Sequence, residues 1–300
     1  MTKPTSHHIY YHTTPYGLRI VHCHIPAAPV AFCGVIVRAG SRDELPHQYG
    51  LAHFVEHTIF KGTASRSASN IINRMEAVGG ELNAYTTKEE TVIYSVFPHG
   101  NLARAAGLIA DLVGNSQFPE RELCKEREVV ADEIDSYLDS PADAVYDDFE
   151  DLIFADTPLG HNILGTESHL AAFTSDACRD YLRQYYAADN MVAFYSGADT
   201  PARVFALIER EMAALPPAAA PRPKRAEYGS IIALRSAGGV YYLIALGMYG
   251  ISQPCPGRIN IPFHLYRCRI CSRGIEKVRL HILCRGIRSY VQRARCCAVV

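Results

Sequence analysis

The amino-acid sequence predicts an α+β fold: a layered antiparallel or mixed sheet with helices packed against it. Three observations carry that expectation. Up to residue 215, short runs rich in β-branched and aromatic residues alternate with longer runs whose apolar residues recur at helical spacing. Gly and Pro clusters fall between these runs, where the chain must turn. A chain of 300 residues, 48% hydrophobic and 20% charged, can bury a large core in one or two domains.

Taken in order, residues 18–25 and 30–38 read as strands joined by the Pro26-Ala-Ala-Pro29 turn. A helix is expected over 51–60. Another spans 67–78, with Ala68, Ile71, Ile72, Met75 and Val78 at helical spacing and Gly79-Gly80 as its stop. Residues 82–86 and 91–97 form a hairpin, followed by helices over 102–113 and 120–138. Residues 175–185 are helical and 191–196 a strand. A last helix over 201–215 has Asp199 or Thr200 as its cap and Pro201 in its first turn. The Pro/Ala-rich run 216–229 then reads as a semi-rigid linker.

The stretch His53-Phe-Val-Glu-His57 carries the most chemistry. Residues four apart on a helix share a face, so both imidazoles can hold one metal ion. Glu56 stays on the same side, free to act on a metal-bound water. Imidazoles and carboxylates without thiolates suit catalytic zinc better than structural zinc, which is usually closed by four ligands. H-x-x-E-H is the inverted form of the metalloprotease motif H-E-x-x-H. With 13 histidines in the chain, the bland alternative is two surface histidines beside a surface glutamate.

A third ligand is offered by the 120–138 helix. Its apolar stripe is read through Val129, Val130, Ile134 and Tyr137, and Glu126 and Glu133 fall on it, seven residues apart. A carboxylate turned toward a core is costly unless paired or bound to metal. Glu133 is therefore the expected third ligand and Glu126 its supporting partner, orienting a histidine. The alternative is that both snorkel to water from the edge of the stripe.

Composition changes sharply near residue 230. Residues 230–300 hold eleven Lys or Arg and a single acid, Glu276, leaving nineteen basic and thirty acidic residues in 1–229. Six of the ten cysteines also lie there. The expected organisation is a catalytic domain over 1–215, the linker 216–229, and a basic, Cys-rich tail over 230–300. The start lacks the apolar core of a secretory signal, and the uncharged stretch 236–254 is broken by Gly, Ser, Gln and Pro. No membrane span is expected, and a cytoplasmic protein with reduced cysteines is the default. A basic tail attracts nucleic acid, but no aromatic stacking motif accompanies it.

Several further motifs share order and spacing with one family. They are GLAHFVEH at 50–57, FKGT at 60–63, GGELNAYT at 79–86, Glu126 with Glu133, DSP at 139–141, ILGT at 163–166 and YAADNM at 186–191. Over residues 8–227 the chain resembles the pitrilysin family of zinc peptidases, which includes insulin-degrading enzyme and the mitochondrial processing peptidase. The resemblance implies one Zn2+ per catalytic domain, held by His53, His57 and Glu133, and a zinc-bound water activated by Glu56. It also implies that Asn83 and Ala84 bind substrate along a sheet edge. Peptides or small unfolded proteins would be the substrates.

In that family a second, similar half closes over the substrate and supplies an Arg/Tyr pair. No such pair is evident after residue 230, so a homodimer or a partner subunit is expected to supply the second half. Three readings of the tail stay open: an out-of-frame or aberrant ending, a small zinc module around Cys268 and Cys271, or a divergent start of the second half with strands at 230–234 and 240–246. The alternative to an active endopeptidase is a catalytically weak, metal-binding half-enzyme or a peptide-binding subunit.

Overall fold

Residues 8–140, 147, 150–151, 154, 157–218, 225, 231–237 and 240–246 are described by the computed structural model. Contacts divide the chain into two units, one formed by 1–151 with 155–224 and one by 152–154 with 225–300.

The first unit is built on a six-stranded mixed sheet. Its strands are β1 (His8–Thr13), β2 (Arg19–His24), β3 (Val30–Val37), β4 (Glu81–Thr86), β5 (Thr91–Pro98) and β6 (Met191–Gly197). Their spatial order is β1-β2-β6-β3-β5-β4. The β2–β6 pair is parallel and every other pair antiparallel. Register places Ile20, Val35, Ala193 and Ile93 in one row across the sheet, all buried, so a single face carries the core. The opposite face leaves Val30, Phe32 and Tyr85 exposed. Such alternation is what a half-covered sheet requires.

Seven helices of this unit are described: α1 (Leu51–Thr58), α2 (Ala68–Glu76), α3 (Leu102–Asn115), α4 (Glu120–Leu138), α5 (Glu167–Ala172), α6 (Ser175–Tyr185) and α7 (Pro201–Glu211). α3 packs on β3 and β5, and α7 on β2 and α3. α1 lies against β4, with α4 and α6 packed against α1 in turn. Leu51, Phe54 and Val55 of α1 are completely buried. Each such side chain contributes about 1.5–3 kcal/mol of burial, which fixes the rotation of α1 about its axis. That rotation decides where His53 and His57 point.

Four details differ from the sequence expectation. β1 was not anticipated, because all but one of its residues are exposed and it shows no buried face for a periodicity to reveal. The six-residue α5, capped by Thr166, is too short for a helical pattern to stand out. The buried stripe of α4 runs through Leu123, Glu126, Val130 and Ile134, while Val129 is 50% exposed. The last helix also stops at Glu211, short of residue 215.

In the second unit, β7 (Ile231–Ala237) and β8 (Val240–Leu246) pair as an antiparallel hairpin, Ala237 facing Val240. Pro141 and the Cys268/Cys271 pair lie outside the described residues.

Candidate metal centre

α1 begins without a side chain of its own to cap it. Gly50 sits at its N-terminal boundary in the left-handed region (φ 97°), and a Cβ there would come within 2.5 Å of the Leu164 carbonyl oxygen. Gly165 makes the reciprocal approach: its φ is 71°, and a Cβ would meet the Tyr49 carbonyl oxygen at 2.1 Å. Two glycines thus let the 162–165 turn press against the start of α1.

The free N–H groups of that helix start go to Glu44. Its carboxylate accepts from Gly50 N at 2.9 Å and Ala52 N at 2.6 Å. His161 Nε2 lies 3.1 Å from the same carboxylate, and the His161 ring stacks on Tyr49 with centroids 3.6 Å apart. Lys88, almost fully buried, donates to the carbonyls of Leu159 (3.1 Å) and His161 (2.5 Å) and pairs with Glu150. Burial raises the Glu44 carboxyl above its ordinary range against the pull of the two backbone N–H groups. Burial also lowers His161 to about 4, so at neutral pH its ring is an uncharged donor. Sequence reading missed this anchor. The signal available was a helix opening on Gly50 with no Ser, Thr, Asp or Asn to cap it, and an acid six residues upstream. Glu44→Ala would orphan two buried backbone N–H groups and His161, and should cost about 3 kcal/mol in chemical denaturation.

From this anchored helix, His53 and His57 project together, ring centroids 4.5 Å apart. Their Nε2 atoms lie 3.7 and 3.3 Å from one Glu133 oxygen, Oε2, contributed by α4. All three donor atoms fall within 4.8 Å of one another. Two ligands each about 2 Å from a tetrahedral ion lie about 3.3 Å apart, so this donor set fits zinc. Burial lowers His53 to about 3, with His57 adding to the effect, and the neutral ring keeps a lone pair to offer. Glu133 keeps 44% of its side chain accessible, so the centre opens to solvent on that side.

Glu126 lies two turns before Glu133, on the buried stripe of α4. Its Oε1 is 3.2 Å from His57 Nδ1 and its Oε2 2.6 Å from Lys61 Nζ. With Nδ1 donating to Glu126, the lone pair of His57 is left on Nε2, which faces Glu133. Glu126→Gln should lower zinc affinity roughly 10–100-fold in a competition titration with a chromophoric chelator, without unfolding the chain.

Glu56 is half-buried beside these groups and accepts a 3.0 Å hydrogen bond from Thr86 Oγ1 of β4. Burial raises its carboxyl above the usual range; His57 and Thr86 oppose the shift and Glu133 adds to it. Among the described residues, β4 is an edge of the sheet and pairs with β5 alone. On it Asn83 faces the open side of the sheet, opposite Tyr94, and Ala84 the helix side, opposite Ile93. The Ala84 N–H donates to Asn83 Oδ1 at 2.8 Å.

Comparison with known proteins bears on this arrangement. Residues 19–167 match the family model described as insulinase (peptidase family M16), and residues 172–251 the one described as peptidase M16 inactive domain. An uncharacterized zinc protease of Bacillus subtilis is 39% identical over 186 residues, covering 62% of this chain and 46% of that protein. Another, of Streptomyces coelicolor, is 35% identical over 253 residues, covering 80% of this chain and 54% of its own. A probable mitochondrial-processing peptidase β subunit of Arabidopsis thaliana is 36% identical over 62% of this chain and 35% of that protein. The chain spans about half the length or less of these curated relatives. Among solved structures, a protease from Helicobacter pylori superposes with a TM-score of 0.67 at 25% identity, covering 73% of this chain and 52% of that one. In fold alone, a peptidase M16 inactive domain from Pseudomonas fluorescens is also similar, at 17% identity and a TM-score of 0.68. With its mixed sheet, its helix layer and both family models matched in sequence order, the chain belongs to the insulinase, or pitrilysin, family of peptidases.

Proposed function

We propose that this chain is the metal-bearing half of a zinc-dependent endopeptidase acting on peptides or small unfolded proteins. The observation that carries the reading is the convergence of His53 Nε2, His57 Nε2 and Glu133 Oε2 beside Glu56, next to an open sheet edge. His53, His57 and Glu133 would hold one zinc ion, with Glu126 orienting His57. When bound, zinc supplies Lewis acidity toward a carbonyl and acidifies water.

The chain's own residues do the rest. An extended substrate adds to the outer edge of β4, where Ala84 offers its N–H once Asn83 Oδ1 releases it. That pairing draws the backbone past α1. Glu56, its carboxyl raised by burial and held by Thr86, takes the proton of the attacking water and passes it to the departing amine. The accessible side of Glu133 leaves room for the peptide to enter.

A partner subunit, or a second copy of the chain, is the proposed source of the closing half. The β7–β8 pair, which lies within the second family match, is proposed to begin that half in this chain. The four described cysteines, Cys23, Cys33, Cys124 and Cys178, are free, and the proposal places the protein in a reducing, cytoplasmic compartment. A second reading, a metal-binding half with little turnover or a peptide-binding subunit, is favoured by the match of residues 172–251 to the model described as peptidase M16 inactive domain. Zinc analysis beside cleavage of a quenched-fluorescence peptide separates them. Cleavage that is lost to a chelator and restored by zinc supports the endopeptidase. Stoichiometric zinc with no cleavage supports the second reading.

A further inference from the structure

α2 buries Ile71 and Met75 and turns Asn70, Asn73 and Arg74 away from the core. Arg66, just before the helix, and Arg104, on α3, join them around a cavity of ≈ 290 Å³. No residue of the metal centre or of β4 lines it. Three guanidinium groups facing one cavity repel each other, and among the described residues Asp111 pairs with Arg66 while no ion pair is formed by Arg74 or Arg104. Arg66 is engaged by Asp111 and by Ser65. Arg104 Nη1 donates to the Arg74 carbonyl oxygen at 2.9 Å, in the last turn of α2. Arg74 itself has Nε enclosed by protein with no hydrogen-bond partner. Burial, then Arg66 and Arg104, weakens its hold on its proton. Glu211, the acid that acts on Arg74 from α7, is held by Arg210 at 2.6 Å.

We infer that this cavity is an anion site for a compact phosphoryl ligand of about pyrophosphate size, gripped by Arg74 and Arg104 and flanked by the amides of Asn70 and Asn73. Guanidinium forks match tetrahedral phosphoryl oxygens through paired, charge-assisted hydrogen bonds, so the cavity-lining Arg74 and Arg104 are suited to such a ligand. Asparagine amides add neutral donors that tolerate crowding by arginines. Among anions, a diphosphate concentrates enough charge in a small volume to offset the guanidinium groups of Arg74 and Arg104, whereas separated carboxylates need a longer groove.

The test is calorimetric titration of the full chain with inorganic pyrophosphate at fixed ionic strength. One saturable site is expected. Arg74→Met, which keeps the apolar stem, should weaken it at least about tenfold, the loss of one charge-assisted contact. Asn73→Asp, on an exposed position that perturbs no packing, should weaken it similarly and keeps the test decisive if Arg74→Met folds poorly. Because pyrophosphate also binds zinc, a His53→Ala/His57→Ala double variant should retain the site unchanged. The proposal is overturned if no saturable binding occurs, if both Arg74→Met and Asn73→Asp bind like the parent, or if binding disappears with the metal centre. Equal affinity for sulfate or for a glutamate-rich peptide would overturn it as well.

Discussion

Glu56→Gln should lower peptide cleavage by about 10²–10⁴-fold while zinc content and thermal stability stay at the parental level. The amide is the same size as the carboxylate and can still meet Thr86 Oγ1, so the 3.0 Å contact that positions the side chain is not lost. What the amide cannot do is accept a proton. Glu56 is not one of the three converging donors, so its replacement leaves the proposed ligand set intact. Both quantities are needed, zinc by atomic emission and cleavage by fluorescence, because a folding defect would lower the two together. Cleavage by Glu56→Gln at the parental rate would remove Glu56 from the role of base.

The second large effect is on the metal. His53→Ala or His57→Ala should lower zinc affinity by more than about a hundredfold, beyond the range typical of losing an outer partner such as Glu126. Glu133→Gln should also weaken binding, because a neutral amide is a poorer ligand than a carboxylate. Zinc that binds only the folded chain at about a thousand times its Kd adds about 4 kcal/mol of stability. The parent should therefore melt at a higher temperature with zinc than with chelator, and His53→Ala should not respond. Cys268→Ser should behave as the parent. Stoichiometric zinc in a His53/His57 double variant would place the metal elsewhere.

Much of the fold was legible because its elements are locally determined. α2 shows Ile71 and Met75 at helical spacing and stops at Gly79-Gly80; β3 and β5 are dense in β-branched and aromatic residues. Where burial was absent, legibility failed. β1 exposes nearly all its residues, so nothing in its composition separates it from a loop. On α4 the error was one of phase. Val129 was placed on the stripe, but a rotation that buries Leu123, Glu126, Val130 and Ile134 leaves it exposed. Glu126 and Glu133 consequently differ in burial more than their shared spacing suggested, the first enclosed by His57 and Lys61, the second 44% accessible.

The anchor of α1 was invisible for another reason. Glu44, Lys88 and His161 are far apart in sequence, and none belongs to a pattern with a period. Helix starts must satisfy their free N–H groups, but which distant carboxylate does so depends on how the chain returns. The arginine cavity between α2 and α3 has the same origin: Arg74 and Arg104 are thirty residues apart and meet only because their helices pack side by side.

By itself the sequence determined that His53, Glu56 and His57 lie on one helix, that Glu126 and Glu133 lie on another, and that a hairpin carries Asn83 and Ala84. These are consequences of backbone periodicity, which acts over a few residues. Only the tertiary structure decided that the two helices pack so that Glu133 Oε2 comes 3.3 Å from His57 Nε2, and that Thr86 reaches Glu56. It alone decided that Glu44 holds the start of α1 in place. Such distances follow from the burial of Leu51, Phe54, Val55, Val130 and Ile134 against one another and the sheet. Packing at long sequence separation sets them, and no local pattern encodes it.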